Sequence, residues 1–446
     1  MNTAARYNQA LDYLYSFVDY SLKHSSELAK ADFNLGRMRQ LMAELGNPQD
    51  AYPTIHVAGT KGKGSVSALC AAALQAAGQR TGLYTSPHLL DYAERLQVDG
   101  RPIPHTQLAD LVDEIKPAVA RIDKLTTFEI TTALGFLYFA RARVDAAVIE
   151  VGLGGRLDAT NVITPRVSVI TSLSYDHTAV LGETLTLIAG EKAGIIKPGV
   201  PVVSSPQKEE ALRVLETIAA ERGCTLTLIG RELVARPIRQ SLDGQTFELA
   251  PIDGSSYQLS MPLLGAHQLD NAATAYAALK ASGLDVPDTA IRQGFAKVNW
   301  PARFEIASRA DPTVVFDSAH NEDSFERLTE TLQAYFPGRR VTLVCGVSED
   351  KHLAAMLSAI QPLLARVIAT RADHPRALAP EQIVAAAGRL GLACEAVMPV
   401  RAALKRALEN AQKDGSIVLS AGSIFVTAEA KSIYQRTSSG KQTKNG

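Results

Sequence analysis

The chain has 446 residues, more than one typical core accommodates, and 46% apolar with 21% charged residues is the balance of a globular, water-compatible protein of two or three domains. Lys plus Arg and Asp plus Glu both number 46, so no global field recruits nucleic acid or a membrane surface, and anion binding must come from local geometry. No apolar run approaches the roughly 20 residues that cross a bilayer, the first residues lack a signal-peptide apolar region, and Cys70, Cys224, Cys345 and Cys394 have neither zinc nor disulfide spacing, so a cytoplasmic location is expected.

Taken in order, Tyr7, Leu11, Leu14, Tyr15 and Val18 recur at helical spacing, and a second helix is predicted over 36–45. Residues 55–58 read as a buried strand and 65–77 as an alanine-rich helix, with Gly59-Thr60-Lys61-Gly62-Lys63-Gly64-Ser65 between them. A glycine-rich turn at a helix N-terminus offers unpartnered N–H groups and the positive end of the helix dipole to a polyanion, and glycine permits close approach. Lys63 can reach the outer phosphates of a nucleoside triphosphate, and Ser65 offers a hydroxyl near the accompanying metal. The spacing departs from G-x-x-x-x-G-K-[ST], because Gly64 separates Lys63 from Ser65; an ordinary strand-to-helix turn is the alternative.

Next come a strand over 81–84, helices over 106–122, with Pro117 as a kink, and 127–143, then strands over 146–151, 167–171 and 201–204. That alternation argues for a parallel sheet covered on both faces, whose ligands gather at the carboxyl ends of the strands. Ser86, Glu150 and Asp176-His177 fall there. Ser86 and Glu150 suit the oxygen preference of magnesium, with His177 the odd ligand; the plainer readings are a structural carboxylate and a satisfied polar histidine. Residues 151–161 form a second glycine-dense stretch, expected to be a mobile loop over the site. Lys192 lies near a helix end among apolar residues, either as a desolvated lysine of lowered pKa, open to modification, or as a lysine favoured by the helix C-terminus.

Between 224 and 261 short β-like runs at 225–229, 246–249 and 257–260, with Asp-Gly turn signals at 243 and 253, suggest a small antiparallel sheet, and a helix over 267–281 closes the N-terminal unit. From Trp300 a fresh α/β alternation begins, with strands over 313–316, 341–345, 366–369 and 416–419. The expected division is therefore 1–299, 300–436 and a disordered tail over 437–446. Asp317, at a strand end, is placed to bind ribose or base, opposite the triphosphate held by the first domain.

The stretches HVAGTKGKGS (56–65), TSPHL (85–89), ERLQVDG (94–100), IEVGLGGRLDATN (149–161), DHT (176–178), GEKAGIIKPG (190–199), HQLDNAATA (267–275), WPARFE (300–305) and DSAHN (317–321) together resemble the folylpolyglutamate synthase / dihydrofolate synthase family, relatives of the Mur peptide ligases. The resemblance spans nearly the whole chain. It implies an α/β fold: a P-loop N-terminal domain with a parallel sheet and a small antiparallel β subdomain, then a Rossmann-like C-terminal glutamate-ligase domain. It also implies a monomeric cytoplasmic enzyme that uses ATP to join L-glutamate to a folate or dihydropteroate carboxylate through an acyl phosphate, with no nucleic-acid or membrane partner.

By the same resemblance, Gly59, Thr60, Lys61, Gly62, Lys63, Gly64 and Ser65 with Asn271, Arg303, Asp317 and His320 contact ATP. Ser86, Glu150 and His177 hold a first magnesium, and Lys192, as a carbamate, brings a ligand to a second; Lys63, Lys192 and His177 carry the catalysis. The pterin candidates are Thr127 and Phe128 with their neighbours Thr126 and Glu129, the Leu157-Asp158-Ala159 loop, and residues 34–37. Lys61 stands where bacterial members commonly have asparagine, and is expected to tighten ATP binding; Ala302 stands for a glycine, and Ser318 for another small residue. Two rivals are a Mur-type cell-wall ligase, disfavoured by the 58 residues ahead of Gly59, too few for its substrate domain, and a nucleotide-gated binding protein, which would not need Lys192.

Overall fold

The computed structural model describes residues 2–20, 23, 33–252 and 254–442; Asp253 of the second turn signal and residues 443–446 of the expected tail lie outside them. The chain divides into two compact units, the first from residues 1–239, 245–262 and 268–299, the second from 240–244, 263–267 and Trp300 onward. The two short segments that join the second unit were not foreseen from the sequence.

In the first unit, β1 (Thr54–Ala58), β2 (Thr81–Tyr84), β3 (Leu96–Val98), β4 (Arg101–Pro102), β5 (Ala146–Glu150), β6 (Val167–Ile170), β7 (Val202–Ser204) and β8 (Leu226–Leu228) make one sheet in the order β4-β3-β2-β5-β1-β6-β7-β8. The pairs from β2 to β8 are parallel; β3 and β4 extend the sheet antiparallel. Every residue of β1 and β5 is buried, which is why both are predominantly apolar without a polar alternation. One core gathers Leu14, Met38, Leu134, Phe136 and Phe139; another gathers Ile170, Ile188, Ile195, Val202 and Leu215.

Several elements differ from the expectation. The run at 225–229 contains β8, at the edge of the large sheet, because it pairs parallel with β7, Val203 opposite Thr227. The small sheet consists of β9 (Leu233–Ser241), β10 (Gly244–Pro251) and β11 (Tyr257–Met261). Strand β9 escaped notice because Arg236, Pro237, Arg239 and Gln240 break any apolar alternation. Pro117 marks no internal break: it falls in the last turn of His105–Val119, where little helix remains to disrupt.

In the second unit, β12 (Glu305–Ser308), β13 (Val314–Phe316), β14 (Val341–Cys345), β15 (Leu364–Ala369), β16 (Cys394–Ala396) and β17 (Ile417–Ala421) are ordered β12-β13-β17-β14-β15-β16. All pairs are parallel except β12 with β13. The closing helix, Ile424–Gln442, runs through residues 437–442, correcting the disordered tail expected there. Val426 and Ala430 are buried in the core, with Ile433 and Tyr434 packed against it, so the helix is nucleated and its polar end continues it.

The helix Thr127–Ala142 starts with a capping box: Thr126 N–H and Oγ1 each donate to Glu129 Oε2 at 2.8 Å, and Glu129 N–H donates back to Thr126 Oγ1 at 3.2 Å. Arg37 Nε reaches Glu129 Oε1 at 3.1 Å, with side chains only 13% and 8% exposed. Glu129→Ala removes the box and takes a carboxylate partner from the largely covered Arg37 guanidinium. Urea unfolding should show a loss of about 2–3 kcal/mol; a loss below about 0.5 kcal/mol would contradict this role.

Candidate active site

Strands β2, β5, β1 and β6 are adjacent and parallel, so Ser86, Glu150, Gly59 and Thr171 all lie at one edge of the sheet. Glu150 stands in register with Val57, and its Oε2 accepts Ser86 N–H at 3.3 Å. Between β1 and the helix Lys63–Ala76 the backbone is tightly confined. Gly59 has φ +150°, and a Cβ there would lie 1.8 Å from Thr171 Oγ1; Gly62 has φ +89°, and its Cβ would lie 2.3 Å from Asn271 Oδ1. No side chain caps this helix, and its first internal bond runs from Val66 N–H to Gly62 C=O. The amides of Lys63, Gly64 and Ser65 thus have no partner within the helix, the arrangement that receives a phosphate. Asn271 sits beneath, its Nδ2 donating to Gln268 Oε1 at 2.9 Å.

Two ammonium groups converge on the Gly59 carbonyl, Lys63 Nζ at 3.2 Å and Lys192 Nζ at 2.9 Å. Lys192 belongs to the last turn of Leu185–Ala193 but projects into the phosphate turn, which favours the desolvated reading over a lysine serving its own helix terminus. Burial, reinforced by Lys63 and Lys61 and opposed by Asp176, pushes its pKa down to about 7. Lys61 Nζ lies 3.2 Å from Asp176 Oδ2, so Lys61 does not add a bare positive charge to the turn. Asp176 Oδ1 accepts the backbone N–H of His177 at 3.0 Å, and His177 Nε2 lies 3.9 Å from that same oxygen.

The Ser86 backbone N–H to Glu150 bond sets the two residues side by side, and a serine hydroxyl and a carboxylate are the hard donors that fit a magnesium ion retaining several waters. Among the described residues, no group of three or more His, Cys, Asp or Glu is arranged to hold a metal by itself.

The loop 151–161 is fastened, correcting its expected mobility. Asp158 accepts from Gly152 N–H at 3.1 Å, Leu153 N–H at 2.9 Å, Thr160 N–H at 3.0 Å and Thr160 Oγ1 at 2.5 Å. Arg156 grips Glu191 Oε1 at 3.0 and 2.8 Å, and Gly155 lies so close to the Lys192 backbone that a Cβ would meet Lys192 O at 2.8 Å. With these four bonds inside its own loop, the Asp158 carboxylate fixes the loop conformation. Thr127 is buried, and its hydroxyl donates to Leu14 O at 2.9 Å. Ala159 is buried, whereas Leu157 and Phe128 are half-buried, Phe128 edge-on to Tyr84 with ring centroids 6.4 Å apart. Arg37, from the third pterin candidate, is engaged by Glu129.

In the second unit, Asp317 accepts Phe304 N–H and Ala319 N–H, each at 2.7 Å, shaping the turn that carries Arg303. Ala302 within that turn has φ +55°, a left-handed conformation that explains why glycine suits the position. His320 Nδ1 donates to Ser318 O at 2.8 Å. A further cluster, missed in the sequence, follows β14 and β15: Lys351 pairs with Asp350 at 3.0 Å, Arg376 lies 4.0 Å from Asp350, and the three side chains are 9–12% exposed. Its signal was a charged run directly after an apolar strand, Arg371 to Arg376 behind β15.

A phosphate-binding turn on a parallel sheet, a desolvated lysine inside it and a second α/β unit define a Mur-type ligase. The Mur ligase middle domain matches residues 57–279, and the Mur ligase glutamate ligase domain matches 302–424. The dihydrofolate synthase/folylpolyglutamate synthase of Bacillus subtilis is 38% identical over 353 residues, covering 77% of this chain and 82% of that protein. The Mycobacterium tuberculosis folylpolyglutamate synthase complexed with ADP superimposes with TM-score 0.88 at 34% identity, covering 97% of this chain and 99% of that one. Escherichia coli FolC in complex with DHPP and ADP gives 0.85 at 32% identity, covering 98% and 99%. The chain belongs to the folylpolyglutamate synthase / dihydrofolate synthase family, whose members are ADP-forming, ATP-dependent ligases.

The Lys192 pKa in the fold, about 7, lies below the ordinary 10.5, so between those values the unfolded chain binds the proton more readily. The lysine therefore opposes folding fully below pH 7 and ceases to do so above 10.5. In bicarbonate-free buffer Lys192→Met should melt higher than the parent at pH 7, with the advantage shrinking toward pH 10; an advantage that grows with pH contradicts the assignment.

Proposed function

We propose that this protein joins L-glutamate to the carboxylate of a folate or of dihydropteroate at the expense of ATP, acting as a cytoplasmic monomer. The observation that carries the reading is the uncapped turn at Gly59–Ser65, with Lys63 and Lys192 converging on the Gly59 carbonyl. A carboxylate repels nucleophiles, so activation comes first. One carboxylate oxygen attacks the γ-phosphorus, the bond to the β–γ bridging oxygen breaks, and ADP leaves. The amine of glutamate then attacks the acyl carbon, loses a proton and expels phosphate.

Charge accumulates on phosphoryl oxygens in the first step, and the amides of Lys63, Gly64 and Ser65 with the Lys63 ammonium are oriented to meet it without reorganisation. Magnesium, when bound, supplies further charge neutralisation at those oxygens. Ser86 and Glu150 would hold it with His177. Lys192, its pKa lowered to about 7 by burial, is suited to carbamate formation, which would give a second ion an anionic ligand. Asn271, Arg303, Asp317 and His320 complete the nucleotide contacts in this reading. Thr127, Phe128, Leu157, Asp158 and Ala159 are the pterin contacts in this reading. The Mycobacterium tuberculosis relative complexed with ADP, and a related synthase complexed with AMPPCP and folate, support the choice of substrates.

The partly buried cations Lys351 and Arg376, beyond the carboxyl ends of β14 and β15, suit a small dicarboxylate, and we assign them to glutamate. Arg376→Ala should raise KM for glutamate about tenfold or more while leaving KM for ATP within about twofold; equal changes in both would reject the assignment. Purified protein should release ADP only with glutamate and either dihydropteroate or tetrahydrofolate present. Nucleotide hydrolysis indifferent to both acceptors would point to the binding protein instead, and turnover with a cell-wall precursor to the Mur-type rival.

A further inference from the structure

We propose that Lys61 is a positioning residue: through Asp176 it fixes the turn that presents His177, and it is not itself a phosphate ligand. The proposal deepens the ligase reading and rests on it for the role of His177. The Asp176 carboxylate bridges two partners, Oδ1 accepting the His177 N–H at 3.0 Å and Oδ2 lying 3.2 Å from Lys61 Nζ. His177 has φ +50°, a left-handed conformation uncommon for a residue with a Cβ. The remainder of this loop is tied to the phosphate turn as well. Thr60 N–H and Lys61 N–H both donate to Ser172 O at 3.0 Å, and Thr60 Oγ1 donates to Ser174 O at 3.2 Å.

The backbone bonds secure the near end of the 172–177 loop, and the Lys61–Asp176 pair secures the far end, where His177 sits. With side chains 14% and 9% exposed, the pair is only weakly screened by salt. Lys63 and Lys192 already bring two ammonium groups to the Gly59 carbonyl, and a third unpaired cation would repel both. Asp176 removes that repulsion and uses the charge to hold its own turn. Asparagine at position 61 has neither the reach nor the charge for this contact.

The test uses full-length Lys61→Met, Asp176→Asn and the double variant, with Lys61→Asn standing in should Lys61→Met fail to fold. Hydrogen exchange of the 172–178 amides should rise about fivefold in each single variant and no further in the double. Metal-free ADP affinity, measured by calorimetry, should stay within about twofold, while the Mg²⁺ concentration for half-maximal turnover rises about fivefold. Two results overturn the proposal: a roughly tenfold loss of metal-free ADP affinity in Lys61→Met with exchange unchanged, or additive effects in the double variant. Exchange and ADP binding decide it even should the ligase reaction itself go undetected.

Discussion

The candidate site of the first unit is arranged about the backbone between Ala58 and Lys63, which at Gly59 and Gly62 runs too close to its neighbours to carry a side chain. Thr171 closes one side at Gly59 and Asn271 the other at Gly62. The confinement leaves a helix terminus without a side-chain cap, and its amides have no partner within the helix. Burial beneath that turn lowers the Lys192 pKa, and the same parallel register delivers Glu150 and Ser86 to the adjacent strand ends.

The sheet order has a chemical consequence. Because β5, β1 and β6 are neighbours, a carboxylate, a phosphate turn and the Asp176-bearing loop leave the sheet side by side, although they are far apart in sequence. The turn is thereby surrounded by elements that constrain one another: Arg156 ties the 151–161 loop to Glu191, next to Lys192, and Lys61 ties the 172–177 loop to the turn. Transition-state stabilisation needs dipoles already in place, and this mutual fastening supplies them.

The central strands were legible because both faces are covered, which makes β1, β5 and β14 predominantly apolar. Edge strands such as β9, β12 and β16 were not, since partial exposure mixes their composition. The phosphate turn was legible from glycine spacing. The bonds by which Asp158 and Thr127 fasten neighbouring backbone were not legible, because sequence does not mark which polar groups are used in that way. Lys192 left two readings open until its contact with Gly59, 133 positions distant, was visible. The Arg37–Glu129 pair, 92 positions apart, had no local signal at all.

The central claim is that this turn delivers a phosphoryl group to a carboxylate. Turnover with dihydropteroate or tetrahydrofolate labelled with ¹⁸O in the reacting carboxylate, in the presence of ATP and glutamate, tests it most directly. An acyl phosphate requires one labelled oxygen to appear in the released inorganic phosphate. Phosphate free of label, alongside amide product, would contradict the account.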